Sequence, residues 1–291
     1  MHKTKIDGTE LEYEIRGSGE PLLLISTGPI ADSFQPFLSE KALTERHRMI
    51  AYHQRGQAGS PRGPGADAVS FEQHAADAAA LLRQLGIARA HVAGHSTGAA
   101  IALQLALDHP DLVQTLVLLE PPLTSAPSAG AFFEKAGPAL AAYSAGDRED
   151  AMAKFLSIVS GLDWETCRKV VQKQVPGGIA QAIKDADNFF GGYLPALSAW
   201  QFGLQQAATI AQPVLSVLGT GTDPWFVESR ELLHAWFPRI EDCTIEGVGH
   251  LLHMQRPEPM LSSVAAWLAR HPLRDVQCSI APLSSPASSV S

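Results

Sequence analysis

Hydrophobic and polar positions along the chain predict strands and helices in alternation. Short apolar runs, such as residues 21–25 and 112–119, have the length of buried strands, whereas residues 71–85 show helical spacing. Continuous apolar runs are typical of a parallel sheet that is covered on both faces. The predicted strands are 11–16, 21–25, 48–53, 90–93, 112–119, 214–218 and 239–245. This order predicts an α/β fold with a mostly parallel, doubly wound sheet.

The alternation stops after Glu120. From residue 121 to 211 the pattern is helical without a convincing strand, and the strand 214–218 then resumes the sheet. We therefore expect a core made of residues 1–120 and 212–276, with a helical cap of residues 121–211 inserted between two strands. The tail, residues 277–291, is rich in Ser, Pro and Ala and is predicted to be disordered.

The segment 91–98 carries the pattern Gly-x-Ser-x-Gly between a predicted strand and a predicted helix. In that setting Ser96 stands on a sharp turn, and the small residues Gly94 and Gly98 let the strand and the helix approach closely. The backbone amide of Thr97 lies at the helix N-terminus, where it suits an oxyanion. The alternative is a turn that only begins a helix, but the strand-turn-helix context favours a nucleophile at Ser96.

Composition and charge narrow the class of protein. The 291 residues are 45% hydrophobic and 18% charged, as in an ordinary globular enzyme. A net charge of -8 argues against a nucleic-acid surface, and no run reaches the roughly 18 apolar residues of a membrane span. Residues 1–20 lack the apolar run of a signal peptide, and three scattered cysteines suit free thiols, which together predict a cytoplasmic protein. No spacing indicates a metal or a cofactor.

Four segments together resemble the capped branch of the α/β-hydrolase superfamily over residues 11–270. They are 21–29 (PLLLISTGP), 53–60 (HQRGQAGS), 94–98 (GHSTG) and 247–250 (GVGH). The resemblance implies an α/β-hydrolase fold and a serine nucleophile at Ser96. It also implies a base at His250, where Gly247 and Gly249 let the loop turn back toward Ser96.

The acid of the triad is open between two carboxylates. Asp223 follows the predicted strand 214–218 and precedes His250 by the distance usual in the family, so it is preferred. Its loop is one residue longer than the common spacing, and Asp223 before Pro224 also suits a helix cap. Glu120 is the alternative, since some relatives place the acid after the strand 112–119.

The second oxyanion donor departs from the family pattern. The usual His-Gly-x segment is replaced by Ser26, Thr27 and Gly28, followed by Pro29. Proline has no amide hydrogen, so Gly28 is predicted to donate together with Thr97.

These features predict a hydrolase that cleaves an ester, lactone or thioester through an acyl-enzyme. A cap over Ser96 indicates a small to medium, mainly apolar substrate as the binding partner. Two alternatives stay open. The same triad can serve carbon-carbon hydrolysis, perhydrolysis or cofactor-free oxygen chemistry, and a retained pocket can belong to a receptor or an inactive binding protein.

Overall fold

An eight-stranded sheet forms the centre of the protein, as seen in a computed structural model that describes residues 1–63 and 70–273. Its strand order is β1-β2-β4-β3-β5-β6-β7-β8. The pairs β1–β2 and β2–β4 are antiparallel, and all other pairs are parallel. The strands are β1 (His2–Ile6), β2 (Thr9–Arg16), β3 (Glu20–Ile25), β4 (His47–Tyr52), β5 (Ala90–His95), β6 (Val113–Leu119), β7 (Val214–Gly219) and β8 (Glu241–Ile245).

The edge strand β1 was not among the predicted strands. It pairs with β2 through a two-residue turn in which Asp7 and Gly8 have φ of 42° and 77°. An Asp-Gly pair with two positive φ values is a favoured hairpin turn. Most of β1 is exposed, so it lacks the apolar face from which strands are recognised in a sequence.

Helices cover both faces of the sheet. Between β6 and β7 the described residues form helices and no strand. This confirms the predicted fold class with its inserted helices. The boundaries 1–120, 121–211 and 212–276 stay predictions, and the tail 277–291 lies outside the described residues. The α-helices are α1 (Gln35–Leu38), α2 (Lys41–Thr44), α3 (Phe71–Gln84), α4 (Thr97–Asp108), α5 (Ala129–Lys135), α6 (Gly137–Ser144), α7 (Arg148–Ser160), α8 (Trp164–Gln174), α9 (Gly178–Lys184), α10 (Ala186–Asn188), α11 (Leu194–Ala199), α12 (Leu204–Ala207), α13 (Pro224–Trp236), α14 (Leu252–Gln255) and α15 (Pro257–Ala269). A 3₁₀ turn (Pro110–Leu112) and a π-helical turn (Phe189–Tyr193) accompany them.

The two faces of the sheet pack into separate apolar clusters. Leu23 and Ile25 of β3 belong to the cluster that contains α3, α4 and the inserted helices, whereas Leu22 and Leu24 belong to the cluster that contains α15. Successive side chains on a strand point to opposite faces, so both sets must be apolar. In the described part of the chain, no helix is both long and apolar enough to cross a membrane.

Helix α4 lies very close to strands β3 and β5. A Cβ built on Gly98 would meet the carbonyl oxygen of Ile25 at 2.1 Å, and one built on Gly94 would meet the carbonyl oxygen of Gly98 at 2.3 Å. These separations are shorter than any normal contact with a Cβ. The positions flanking Ser96 therefore accept only glycine without a shift of backbone.

We expect Gly98→Ala to destabilise the fold by about 1–3 kcal/mol or more, because the added methyl group collides with backbone that cannot rotate away. Gly130→Ala is the matched control, since Gly130 lies exposed in α5 and a Cβ added there would have open space around it. There the exchange should stabilise the helix by about 0.5–1 kcal/mol. Urea unfolding measures both values, and equal effects of the two substitutions would contradict the close approach of α4.

Candidate active site

Ser96 stands at the turn between β5 and α4. Its φ of 55° and ψ of -123° are unusual for a residue with a side chain, and its amide donates to the carbonyl oxygen of Leu119 at 2.9 Å. Backbone strain of this kind costs about 1–3 kcal/mol and persists only where the surrounding structure imposes it. Only 9% of Ser96 is exposed, so a reactant reaches it only through the cavity that Ser96 lines.

His250 lies in the loop after β8 and lines the same cavity as Ser96. Gly247 provides the turn with a φ of 72°, and a Cβ on Gly249 would meet the carbonyl oxygen of Ser160 at 2.4 Å. The ring of Phe226 stacks on the imidazole, with centroids 4.0 Å apart and planes 17° from parallel. Its stacking and burial fix the ring of His250 in one orientation.

The two ring nitrogens of His250 have different surroundings. Nδ1 contacts Oε2 of Glu120 at 2.6 Å, whereas Nε2 is buried without a hydrogen-bond partner in the described residues. No hydrogen bond joins Nε2 to the hydroxyl of Ser96 there, although both line one cavity; such contacts often tighten only around a bound substrate. Burial lowers the pKa of His250 to about 3, against a smaller opposing effect of the charge of Asp223. The imidazole of His250 is therefore neutral before the reaction, and its unprotonated nitrogen can accept a proton.

Glu120 is the carboxylate that contacts His250. It follows β6 with a φ of 46° and is 1% exposed. The amide of Gly219 donates to Oε1 at 2.8 Å, and the hydroxyl of Thr222 donates to Oε2 at 2.9 Å. Burial raises the pKa of Glu120, whereas the two donors, which bind the ionised form, oppose that effect. The 2.6 Å contact joins Nδ1 of His250 directly to this buried carboxyl group.

Asp223, the preferred acid from the sequence, makes no such contact. Its Oδ1 accepts from the amide of Trp225 at 3.1 Å, which caps helix α13, and its Oδ2 pairs with Lys135 at 2.7 Å. The expected hydrogen bond from His250 goes to Glu120 instead, so the preference between the two carboxylates is corrected. Asp223 has the capping role that its position before Pro224 also allowed.

The two predicted oxyanion donors differ in this structure. No hydrogen bond engages the Thr97 amide within the described residues, as is usual for the first turn of a helix. The Gly28 amide, however, donates to the side-chain hydroxyl of Thr97 at 2.8 Å. Gln57 holds the loop by donating to the carbonyl oxygens of Thr27 and Gly28 at 3.1 and 2.7 Å. The Gly28 amide thus lies beside the start of α4, but its hydrogen is already bonded to the Thr97 hydroxyl.

The cavity beside Ser96 is narrow and holds about 30 Å³ of free space. Its walls are mostly apolar and come from the core and from the inserted helices. Only some aromatic residues of the insertion contribute to this lining; others pack on the core, as Tyr193 does on His74 and Trp200 on Phe71. The lining from the insertion comprises Pro122, Phe132, Phe133, Phe155, Leu156, Val159, Phe189, Leu194 and Leu197.

Three contributions to the site were not predicted from the sequence. Phe226 stacks on His250, Thr222 donates to Glu120, and the Thr97 hydroxyl accepts from Gly28. The position of Glu120 had a usable signal. Strands β5 and β6 are neighbours with His95 paired to Leu119, so the residues that follow them, Ser96 and Glu120, must also be neighbours.

A strained serine after a parallel strand and a buried histidine that line one cavity, with a carboxylate on the other ring nitrogen of that histidine, are typical of the α/β-hydrolase class. The family model described as the alpha/beta hydrolase fold matches residues 20–257. The protein therefore belongs to the α/β-hydrolase family and is a hydrolase of that fold.

Individual relatives are more distant. The sn-1-specific diacylglycerol lipase ABHD11 of Mus musculus is 26% identical over 253 residues, which cover 79% of this chain and 75% of that protein. The putative carbamate hydrolase RutD of Azorhizobium caulinodans is 37% identical over 111 residues, only 38% of this chain and 40% of RutD. The solved structure of the enol-lactonase from Burkholderia xenovorans LB400 superposes with a TM-score of 0.74 at 20% identity, covering 92% of this chain and all of that one (100%). The structural likeness concerns the fold alone.

The contact between His250 and Glu120 predicts a distinct NMR signal. A proton held on a 2.6 Å line between a ring nitrogen and a carboxylate should resonate far downfield and exchange slowly with water. We expect Glu120→Gln to abolish or strongly shift this signal and Asp223→Asn to leave it nearly unchanged. A signal that disappears only in Asp223→Asn would restore Asp223 as the partner of His250.

Proposed function

We propose that the protein hydrolyses an ester-like bond, in an ester, lactone or thioester, of a small to medium and mainly apolar substrate. Ser96 is the nucleophile, His250 the general base and Glu120 the acid. The observation that carries the proposal is the 2.6 Å contact between Glu120 and His250, whose other nitrogen is unpartnered in the described residues beside the cavity lined by Ser96. Membership of the family supports it.

In the first step the Ser96 oxygen attacks the substrate carbonyl carbon while Nε2 of His250 takes the hydroxyl proton. The leaving group then receives that proton from His250 and departs, which leaves an acyl group on Ser96. Water, activated by the same nitrogen, releases the acid and regenerates the serine.

Glu120 acts on His250 from the opposite side of the ring. By accepting from Nδ1 it keeps the lone pair on Nε2 and stabilises the imidazolium that forms when Ser96 loses its proton. The donors from Gly219 and Thr222 hold the carboxylate in place, so its orientation does not depend on the substrate.

The Thr97 and Gly28 amides bind the carbonyl oxygen as it becomes negative. The Thr97 amide is available at the start of α4. The Gly28 amide becomes available when the Thr97 hydroxyl, its acceptor in the free enzyme, turns away by rotation of its side chain.

The apolar walls of the cavity favour an acyl or alkyl group over a strongly charged one. ABHD11 and the enol-lactonase carry names that refer to a lipid ester and to a lactone, which is consistent with an ester-like bond. The bulk of the four phenylalanines that the insertion adds to the lining favours a small or medium substrate over a polymer.

A fluorophosphonate probe should label Ser96 covalently, and Ser96→Ala should abolish both labelling and turnover of short acyl esters. Mass spectrometry of the labelled peptide locates the adduct. A receptor without a working triad should bind a ligand but fail to react with the probe. Full turnover by Ser96→Ala would rule out the acyl-enzyme, and turnover of only carbon-carbon bonds in a substrate panel would favour the alternative chemistry.

Glu120→Gln should lower kcat by about 10³–10⁴-fold, since the amide can neither fix the right imidazole tautomer nor stabilise its charge. Asp223→Asn is the matched isosteric control and should change kcat by less than about tenfold, because it alters only a helix cap and a pair with Lys135. Steady-state kinetics on one ester compare the two variants. A larger loss in Asp223→Asn would assign the acid to Asp223.

A further inference from the structure

Three potential metal ligands meet where the central parallel strands begin, at the end of the sheet opposite the active site. Glu20 begins β3, His47 begins β4, and His91 is the second residue of β5. Glu20 is the register partner of His47, and Leu22 is that of His91, so the parallel ladder brings the three side chains together. One ligand atom from each residue lies within 4.8 Å of the others. Ser96 directly follows the other end of β5, five residues beyond His91 and about 17 Å away at the spacing of an extended strand.

Contacts on the far side of each ring leave the Nε2 atoms facing this cluster. Nδ1 of His47 contacts the carbonyl oxygen of Leu43 at 3.3 Å, which can only accept, so Nδ1 carries the proton and Nε2 carries the lone pair. Nδ1 of His91 contacts the hydroxyl of Thr115 at 2.8 Å. Histidines that bind metals typically donate their other ring nitrogen to such oxygen atoms.

Burial and charge at the cluster suit a cation. Both histidines are almost fully buried, at 3% and 0% exposure. Glu20 supplies a carboxylate that is one-third exposed, which leaves an approach from solvent.

We propose that Glu20, His47 and His91 bind a divalent transition-metal ion, zinc in the first instance, with water as a fourth ligand. Two imidazoles and one carboxylate form a ligand set that suits zinc, whereas calcium and magnesium prefer oxygen ligands alone. Tetrahedral ligands about 2.1 Å from the metal lie about 3.4 Å apart. Nε2 of His91 and Oε2 of Glu20 are 3.2 Å apart and already fit this spacing. The partly exposed carboxylate moves most easily to complete the set with His47.

The ion joins the amino ends of three adjacent strands. The last described residue also contacts this cluster, since the Leu273 amide donates to Oε1 of Glu20 at 3.0 Å. A metal here stabilises the folded chain without touching the catalytic cavity, because its ligands come from the amino ends of the strands and the cavity lies at their carboxyl ends.

The test is titration of the full chain, dialysed against a chelator, with zinc chloride in a calorimeter. We expect one equivalent to bind. At about a hundredfold excess over its Kd, zinc should raise Tm by several degrees, since it binds the folded state. His47→Gln and Glu20→Gln should each weaken binding more than about tenfold. Cobalt(II) chloride should give the absorption of a tetrahedral nitrogen-oxygen site in the same stoichiometry.

His234→Gln is the matched control. His234 forms a surface pair with Asp242 at 3.0 Å, a two-ligand arrangement without a third group in the described residues, so its loss should leave zinc binding unchanged. Protein labelled by fluorophosphonate at the active site should also keep the zinc equivalent. Absence of binding below about 1 mM zinc, equal binding by wild type and Glu20→Gln, or loss of binding on labelling would each overturn the proposal. Because Glu20 is partly exposed, Glu20→Gln should fold normally. It therefore tests zinc binding even if His47→Gln does not fold.

Discussion

The buried contact between His250 and Glu120 is the interaction on which the active site depends. Both groups are almost fully buried, so each relies on neighbouring protein groups for its hydrogen bonds. A buried carboxylate without donors would cost several kcal/mol, which is why the Gly219 amide and the Thr222 hydroxyl belong to the site as much as the acid itself. The sheet order β5-β6-β7-β8 places all these donors at adjacent strand ends.

Backbone strain accompanies that contact. Ser96 and Glu120 both have positive φ, and both directly follow adjacent parallel strands. Each such residue costs about 1–3 kcal/mol. The carbonyl of Leu119 accepts from the Ser96 amide, which couples the two strained turns to each other. Close packing at Gly94 and Gly98 leaves α4 no room to relax, so the two strained turns are held in place beside one cavity.

The sequence predicted most of the sheet and the strained serine turn, but only part of the candidate site. Apolar runs such as residues 112–119 predicted the central strands because a strand covered on both faces must be apolar throughout. The exposed strand β1 lacks that pattern and escapes prediction. Spacing along the chain favours Asp223 over Glu120, whereas the contact with the histidine depends on which strand ends are neighbours in the sheet. The Thr97 hydroxyl on the Gly28 amide depends on a rotamer, which no residue pattern encodes.

The distribution of polar groups follows from the same sheet. Its middle is mainly apolar on both faces, and the two clusters of buried polar side chains described above lie where the strands begin or end. At the carboxyl ends the strands deliver Ser96 and Glu120, and at the amino ends they deliver Glu20, His47 and His91. Buried groups at either edge need partners in fixed positions, and a parallel ladder supplies such positions because its register is set by the core. A sheet that holds the candidate catalytic residues in fixed positions at its carboxyl ends therefore also provides, at its amino ends, the rigidity that a metal site requires.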